Sequence, residues 1–313
     1  MKKLLLFLTA IALLTACGNK TQNTNNAAEA ADCTAIAEEV KPQVPLLITD
    51  SIGMDKTDEK AEVSVIVDWP TEGDEALIAA VREYICKTLG VKMTTDGKAA
   101  VKTAFQNHYN ETAGMWEDAY MNDEDEDEDG EEDSGKGPCY TYMISIQKVA
   151  ETDKFVTYLM DDHTYYGGAH GSSSCGGVTF SKATAKTVGY KMEYNDKTMS
   201  YSVRNQTLFN DKIKTKEFND LLKAGLKEYF QDVTDEGKKG ITDAELAEML
   251  MDEQVSKLPL PGASPHFTDK GLEFVYQQYE IAAYCYGMPT FVIPFDKVKP
   301  YLTEAAMEFI PEK

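Results

Sequence analysis

The sequence predicts an α+β fold: a mostly antiparallel sheet with packed amphipathic helices, arranged as two small subdomains. Two observations predict it. Short stretches alternate apolar and polar residues, as half-buried strands do, and others repeat apolar residues at helical spacing. The two kinds follow one another without a regular strand–helix–strand rhythm, which argues against a doubly wound parallel sheet.

The chain opens on Met1-Lys2-Lys3, an apolar run over residues 4–14, and Thr15-Ala16-Cys17. Basic residues, a short apolar core and small residues before a cut describe a secretory signal. The run is shorter than the roughly 20 apolar residues a membrane span needs. The Leu13-Leu14-Thr15-Ala16-Cys17 sequence resembles the lipobox of bacterial lipoproteins. That resemblance implies cleavage after residue 16 and a diacylglycerol and palmitate-type modification of Cys17, giving a membrane anchor. Two buried acyl chains suffice for stable anchoring. Gly18 after the cysteine is not the Asp linked with inner-membrane retention. The expected location is therefore an envelope face, periplasmic or exterior, on the outer membrane if the source is Gram-negative.

Residues 17–60 are expected to hold the lipidated cysteine and a flexible tether, rich in Asn, Thr, Gln and Ala. Residues 61–122 are expected to form a small N-terminal α+β domain. Val63, Val65 and Val67 alternate with polar partners up to Trp69-Pro70, which is a strand. Leu77, Ile78, Val81, Tyr84 and Ile85 then share one helical face, with Asp74 and Glu75 at its start and Gly90 at its end. A second helix carries Val101, Phe105, Tyr109 and, less regularly, Met115 and Trp116.

In residues 123–133 ten of eleven positions are acidic, so residues 123–138 are expected to be a solvated linker or insertion. Asp125, Asp127, Asp129, Gly130 and Asp133 match positions 1, 3, 5, 6 and 9 of a calcium-binding loop. Position 12, which should be a bidentate Glu, is Lys136. Loose cation association is the expectation, with no cofactor and no dedicated metal site.

The second subdomain is expected over residues 139–313. Tyr140, Tyr142, Ile144 and Ile146 mark one strand, residues 154–160 another and residues 178–181 a third. Phe218, Leu221, Leu222, Leu226, Tyr229 and Phe230 form a helical face. Thr242 and Glu245 make a capping box before Leu246, Met249 and Leu250. Strands over residues 272–277 and 291–293 and a short helix after Pro294 close the chain.

The formal charge is −22, with 31 basic and 53 acidic residues, and loss of Lys2 and Lys3 with the signal makes it −24. Such a balance excludes nucleic acid as a partner, because phosphates would be repelled, and favours cationic partners. Beyond Cys17 lie Cys33, Cys86, Cys139, Cys175 and Cys285. An oxidising compartment permits disulfides, and about 15 ways of forming two bridges from five cysteines stay open.

The sharpest local motif is Tyr165-Tyr166-Gly167-Gly168-Ala169-His170-Gly171. Some 110 residues on come residues 267–274, then Gln278-Tyr279-Glu280-Ile281-Ala282, Gly287 and Val292-Ile293-Pro294-Phe295. Together, over residues 140–305, these resemble the RsiV-like domain family, found at the C-terminus of an anti-sigma factor and of a peptidoglycan deacetylase. Residues 60–120 resemble the smaller domain that often precedes it. The resemblance implies an extracytoplasmic module, and in the anti-sigma factor that module binds lysozyme. The deacetylase's Asp-Asp pair with a downstream His-x-x-x-His is not found, so what carries over is a binding role rather than catalysis.

Gly167 and Gly168 suit a turn with positive φ. His170 then either bonds the neighbouring backbone or a carboxylate, or contacts a partner. His163, His170 and Cys175 lie close in sequence, but Cys175 falls in a Ser- and Gly-rich stretch that reads as a flexible loop, a poor setting for an activated nucleophile. Many of the 17 tyrosines cluster in residues 140–201 and 276–301, where they serve a core or a binding surface. Tyr279 and Glu280 either line a groove or pair locally.

The expected function is a non-catalytic, lipid-anchored envelope module recognising lysozyme, another cationic protein or peptidoglycan. Its candidate binding residues are Tyr165, Tyr166, Gly167, Gly168, His170, Tyr279 and Glu280. The alternatives are a wall-acting hydrolase or deacetylase-associated enzyme, and a cation-binding structural lipoprotein centred on the acidic run.

Overall fold

Alternating valines set the first sheet. Val63, Val65 and Val67 on strand β2 (Ala61–Glu72) are fully buried, and Trp69 nearly so. They meet helices α1 (Glu75–Thr88) and α2 (Gly97–Tyr120) on one face of the sheet. The Asp74 side chain caps α1 by accepting from the Leu77 N–H, and Gly90 takes a positive φ of 66° just beyond its end. The first residue of α2 is Gly97 because Trp69 leaves no room: a Cβ there would lie 2.5 Å from the indole.

The computed structural model describes residues 46–121, 137–197, 200–233, 240–252 and 254–311. Cys17, Cys33 and the four acidic candidates Asp125, Asp127, Asp129 and Asp133 lie outside them. All described residues fall within one unit, residues 43–313. The fold is α+β with mainly antiparallel sheets. A five-stranded sheet runs β1 (Ile48–Thr57), β2, β3 (Tyr140–Glu151), β4 (Phe155–Tyr165) and β5 (Ser172–Ser181); its β2–β3 pair is parallel and the others antiparallel. A β6–β7 ribbon follows (Lys191–Asn195 and Ser200–Arg204), then α3 (Lys216–Val233) and α4 (Asp243–Met249). Strands β8 (His266–Phe267), β9 (Gly271–Val275) and β10 (Thr290–Pro294) make a three-stranded sheet, and α5 (Phe295–Val298) and α6 (Glu304–Met307) end the chain.

Three expectations are corrected. Residues 48–57 are not tether but edge strand β1, antiparallel to β2 with one register shift between Ile48 and Thr49. Its side chains are mostly exposed, so no apolar period announced it. The expected boundary at residues 123–138 does not separate two sheets, because β2 and β3 pair across it, Val65 opposite Ile144. The apolar side chains instead form one cluster drawn from residues 47–185 and another from residues 150–310. Thirdly, Ser172 to Gly177 are not a loop: they pair residue by residue with β4, Asp161 opposite Cys175.

The two clusters meet at a buried polar joint. The hydroxyls of Thr157 and Thr179 lie 2.8 Å apart; Thr157 donates to the Phe267 carbonyl (2.7 Å) and the Phe267 N–H donates to Thr179 (3.0 Å). These bonds satisfy β8 groups that would otherwise be buried without partners.

Candidate functional site

Strand β5 is the last in its sheet, so one side of its backbone needs a partner. Side chains provide it. The Cys175 N–H donates to Gln277 Oε1 (2.9 Å), Gln277 Nε2 donates to the Cys175 carbonyl (2.8 Å), and the Ser173 N–H donates to Gln278 Oε1 (2.9 Å). Two glutamines thus stand in for a neighbouring strand and fasten the segment after β9 to the free edge of β5.

In that turn Gly167 and Gly168 have φ of 85° and 88°, as expected, and the Tyr165 hydroxyl donates to the Gly168 carbonyl at 3.1 Å. His170 Nδ1 lies 2.8 Å from the Gly171 carbonyl. A carbonyl only accepts, so Nδ1 carries a proton, and in the neutral imidazole Nε2 accepts from the Tyr279 hydroxyl at 3.1 Å. The imidazole also stacks on Tyr284, ring centres 3.8 Å apart. His170 and Tyr279, 109 residues apart in sequence, are neighbours on the surface.

Tyr279 is 53% exposed, with a φ of 61°. A bulky side chain in the left-handed region is strained, and such residues concentrate at functional sites. Glu280 holds it there: its Oε2 accepts from the Gln277 N–H at 2.7 Å and its Oε1 from the Gly262 N–H. Burial raises the Glu280 carboxyl above its ordinary 4.5, against the two backbone donors that lower it.

The seven predicted residues therefore divide. His170, Tyr279 and Glu280 come together, with Tyr165, Gly167 and Gly168 shaping the turn that delivers His170. Tyr166 points elsewhere, its ring 5.7 Å from Tyr140 in a ladder that continues through Tyr120 to Trp116 on α2. Gln277, Gln278 and Tyr284 were not among the candidate binding residues, although Gln278 stands in the quoted motif. Their neighbours in the motif were the available signal, but glutamine pairing to a strand edge has no sequence period.

A nucleophilic Cys175 gains no support. Burial, with Asp161, Glu273 and Asp162 nearby, pushes its thiol up to about 11, so it is protonated at neutral pH. His163 Nδ1 is engaged with the Ser173 hydroxyl at 2.9 Å, and both nitrogens of His170 are taken. Cys86, Cys139, Cys175 and Cys285 are all free thiols. Among the described residues no group of three His, Cys, Asp or Glu could hold a metal ion, and no helix is long and apolar enough to cross a membrane.

This is the surface and fold of an α+β module with a tyrosine- and histidine-lined patch. Residues 206–296 match the family model described as a protein of unknown function, DUF3298. The match takes in Gln277, Tyr279 and Glu280 but stops short of the glycine turn. A crystal structure of a DUF3298-family member from Bacteroides fragilis is similar, with a TM-score of 0.61 at 17% identity, covering 84% of this chain and 96% of that one. A DUF3298-family protein from Pseudomonas aeruginosa is similar at a TM-score of 0.53 and 13% identity, covering 86% of this chain and 99% of the other. At these identities the likeness shows the fold. None of the curated proteins matches the chain.

Proposed function

We propose that this chain is a lipid-anchored, non-catalytic binding module of the bacterial envelope, an RsiV-like relative within the DUF3298 fold, whose partner is lysozyme or another cationic envelope protein. The observation that carries the reading is Tyr279: a strained aromatic held at the surface, joined to His170 of the glycine turn and backed by Glu280. A strained, exposed side chain that the fold over-determines is suited to contact. The acidic balance supports a cationic partner, and the lipobox-like end supports anchoring through Cys17.

Calorimetry of the full-length protein in detergent against a lysozyme, at low and physiological salt, tests the partner. Saturable one-to-one binding that weakens with salt but survives physiological strength is expected. Binding that is absent, or erased by salt, would count against it. Anchoring is tested separately: Cys17→Ala is expected to abolish labelling by an alkynyl palmitate analogue. Labelling that persists in the variant would refute lipidation at that position.

A further inference from the structure

Next to Tyr279 lies a cavity of about 480 Å³, lined among others by Tyr279, Tyr201, Met192, Leu260, Gln277 and Glu280. Tyr201 is 70% exposed on β7, where its ring leans against Tyr194. The Glu280 carboxylate is largely withdrawn from water, and among the described residues no lysine, arginine or histidine pairs with it. Buried charges are ordinarily paired, since desolvation otherwise goes uncompensated. Each Glu280 oxygen accepts one backbone N–H, from Gly262 and from Gln277, and a carboxylate oxygen can accept two. One acceptor position on each oxygen remains, in a cavity flanked by two tyrosine rings.

We infer that this cavity receives a lysine or arginine side chain of the partner, its aliphatic stem between Tyr201, Met192 and Leu260 and its cationic end on the free acceptor positions of Glu280. The inference rests on the binding reading above and narrows it to a contact. Three features of the cavity match a basic side chain: apolar walls for the stem, aromatic faces for the cation, and an anion lacking a counter-ion. A protein of net charge −22 adds a long-range field of the same sign. A neutral sugar would use the tyrosine faces but leave the carboxylate without a counter-charge.

The test uses the full-length protein and four probes, followed by ligand-observed NMR: Nα-acetyl-lysine methylamide, its arginine counterpart, the norleucine derivative, which keeps the four-carbon stem and lacks the ammonium, and N-acetylglucosamine. Lysine and arginine derivatives are expected to bind, with the norleucine derivative at least about tenfold weaker. Glu280→Gln is expected to lower lysine affinity by about tenfold or more. Because Glu280 also fixes the Tyr279 turn, Tyr201→Ala is the second variant: Tyr201 is exposed, so the fold is retained, and affinity is expected to fall severalfold. Equal binding of norleucine and lysine derivatives would overturn the inference. So would binding confined to N-acetylglucosamine, or unchanged lysine affinity in Tyr201→Ala. Tight lysozyme binding indifferent to Glu280→Gln and Tyr201→Ala would refute this cavity and leave the proposed function standing. Lysine binding without lysozyme binding would do the reverse.

Discussion

Single residues in this protein show how burial decides what a charge does. Glu151 lies near the joint of the two apolar clusters with its side chain 9% exposed. Burial alone would raise its carboxyl. Lys182 at 2.6 Å, the Leu47 N–H at 2.7 Å and Lys148 at 2.9 Å outweigh that and hold it below its ordinary 4.5. A lowered carboxyl means that the unfolded chain binds the proton more readily. The stabilisation is therefore present above the unfolded value and lost as pH falls through the folded one. Glu151→Ala is expected to cost about 2 kcal/mol or more at pH 7, because the Leu47 N–H loses its acceptor and Lys148 and Lys182 lose a shared carboxylate. In chemical unfolding the gap between wild type and variant should narrow steadily below about pH 4.5; a gap independent of pH would refute the assignment. Glu280 is the opposite case, a carboxylate met by no cation among the described residues, whose carboxyl burial raises. Tyr279 beside it gives a second residue-scale prediction. Tyr279→Gly removes the left-handed penalty, so it should be more stable than Tyr279→Ala by about 1 kcal/mol in urea melts, while both lose partner binding. An alanine variant as stable as the glycine one would mean that the backbone there relaxes.

At the scale of elements, β5 shows what a sequence hides. Ser172, Ser173, Ser174, Gly176 and Gly177 carry none of the branched or aromatic side chains that mark strands, so the segment reads as a loop. Register with β4, two glutamine side chains on its free edge and the need for a bare backbone make it a strand. A Cβ on Gly177 would lie 2.1 Å from the ring of His266, which is buried on β8 with Nε2 2.9 Å from Glu273 Oε2. Gly177→Ala should therefore displace His266 and destabilise the protein by about 1–3 kcal/mol. Retention of wild-type stability in a urea titration would show that β8 can shift without cost. Elements with one strongly apolar face were legible: the valines of β2, the face of α1 and the capping box of α4, where Thr242 and Glu245 exchange bonds as expected. Strand β1 was not, because as an edge strand it exposes most of its side chains. Of the candidate site, the glycine turn and the Tyr279-Glu280 pair were legible as motifs. Their meeting was not, since it depends on Gln277 and Gln278 spanning to β5, a contact over about a hundred residues with no local signature. Tyr166, one residue beyond β4, became a candidate by adjacency to the motif; its ring lies against Tyr140, in the ladder that leads to α2.

Across the whole molecule, charge acts at a distance that no single contact covers. Residues 123–133 carry ten of the 53 acidic side chains in eleven positions. The cavity beside Tyr279 carries one carboxylate at close range. With a cationic partner bound as proposed, these two sources of negative potential would act on different steps of association. A dense run of charge raises the encounter rate with a cationic partner and is screened once the Debye length shortens to about 8 Å at physiological salt. A desolvated carboxylate holding a cation is screened far less and governs how long the complex lasts. Deleting residues 123–133 should thus slow association with a cationic protein by roughly tenfold at low salt, with little change in the dissociation rate. Glu280→Gln should do the opposite, speeding dissociation and leaving association nearly untouched. Surface plasmon resonance at two ionic strengths separates them. If the deletion instead raised the dissociation rate, the acidic run would itself be part of the bound interface, and the division between steering and holding would fail.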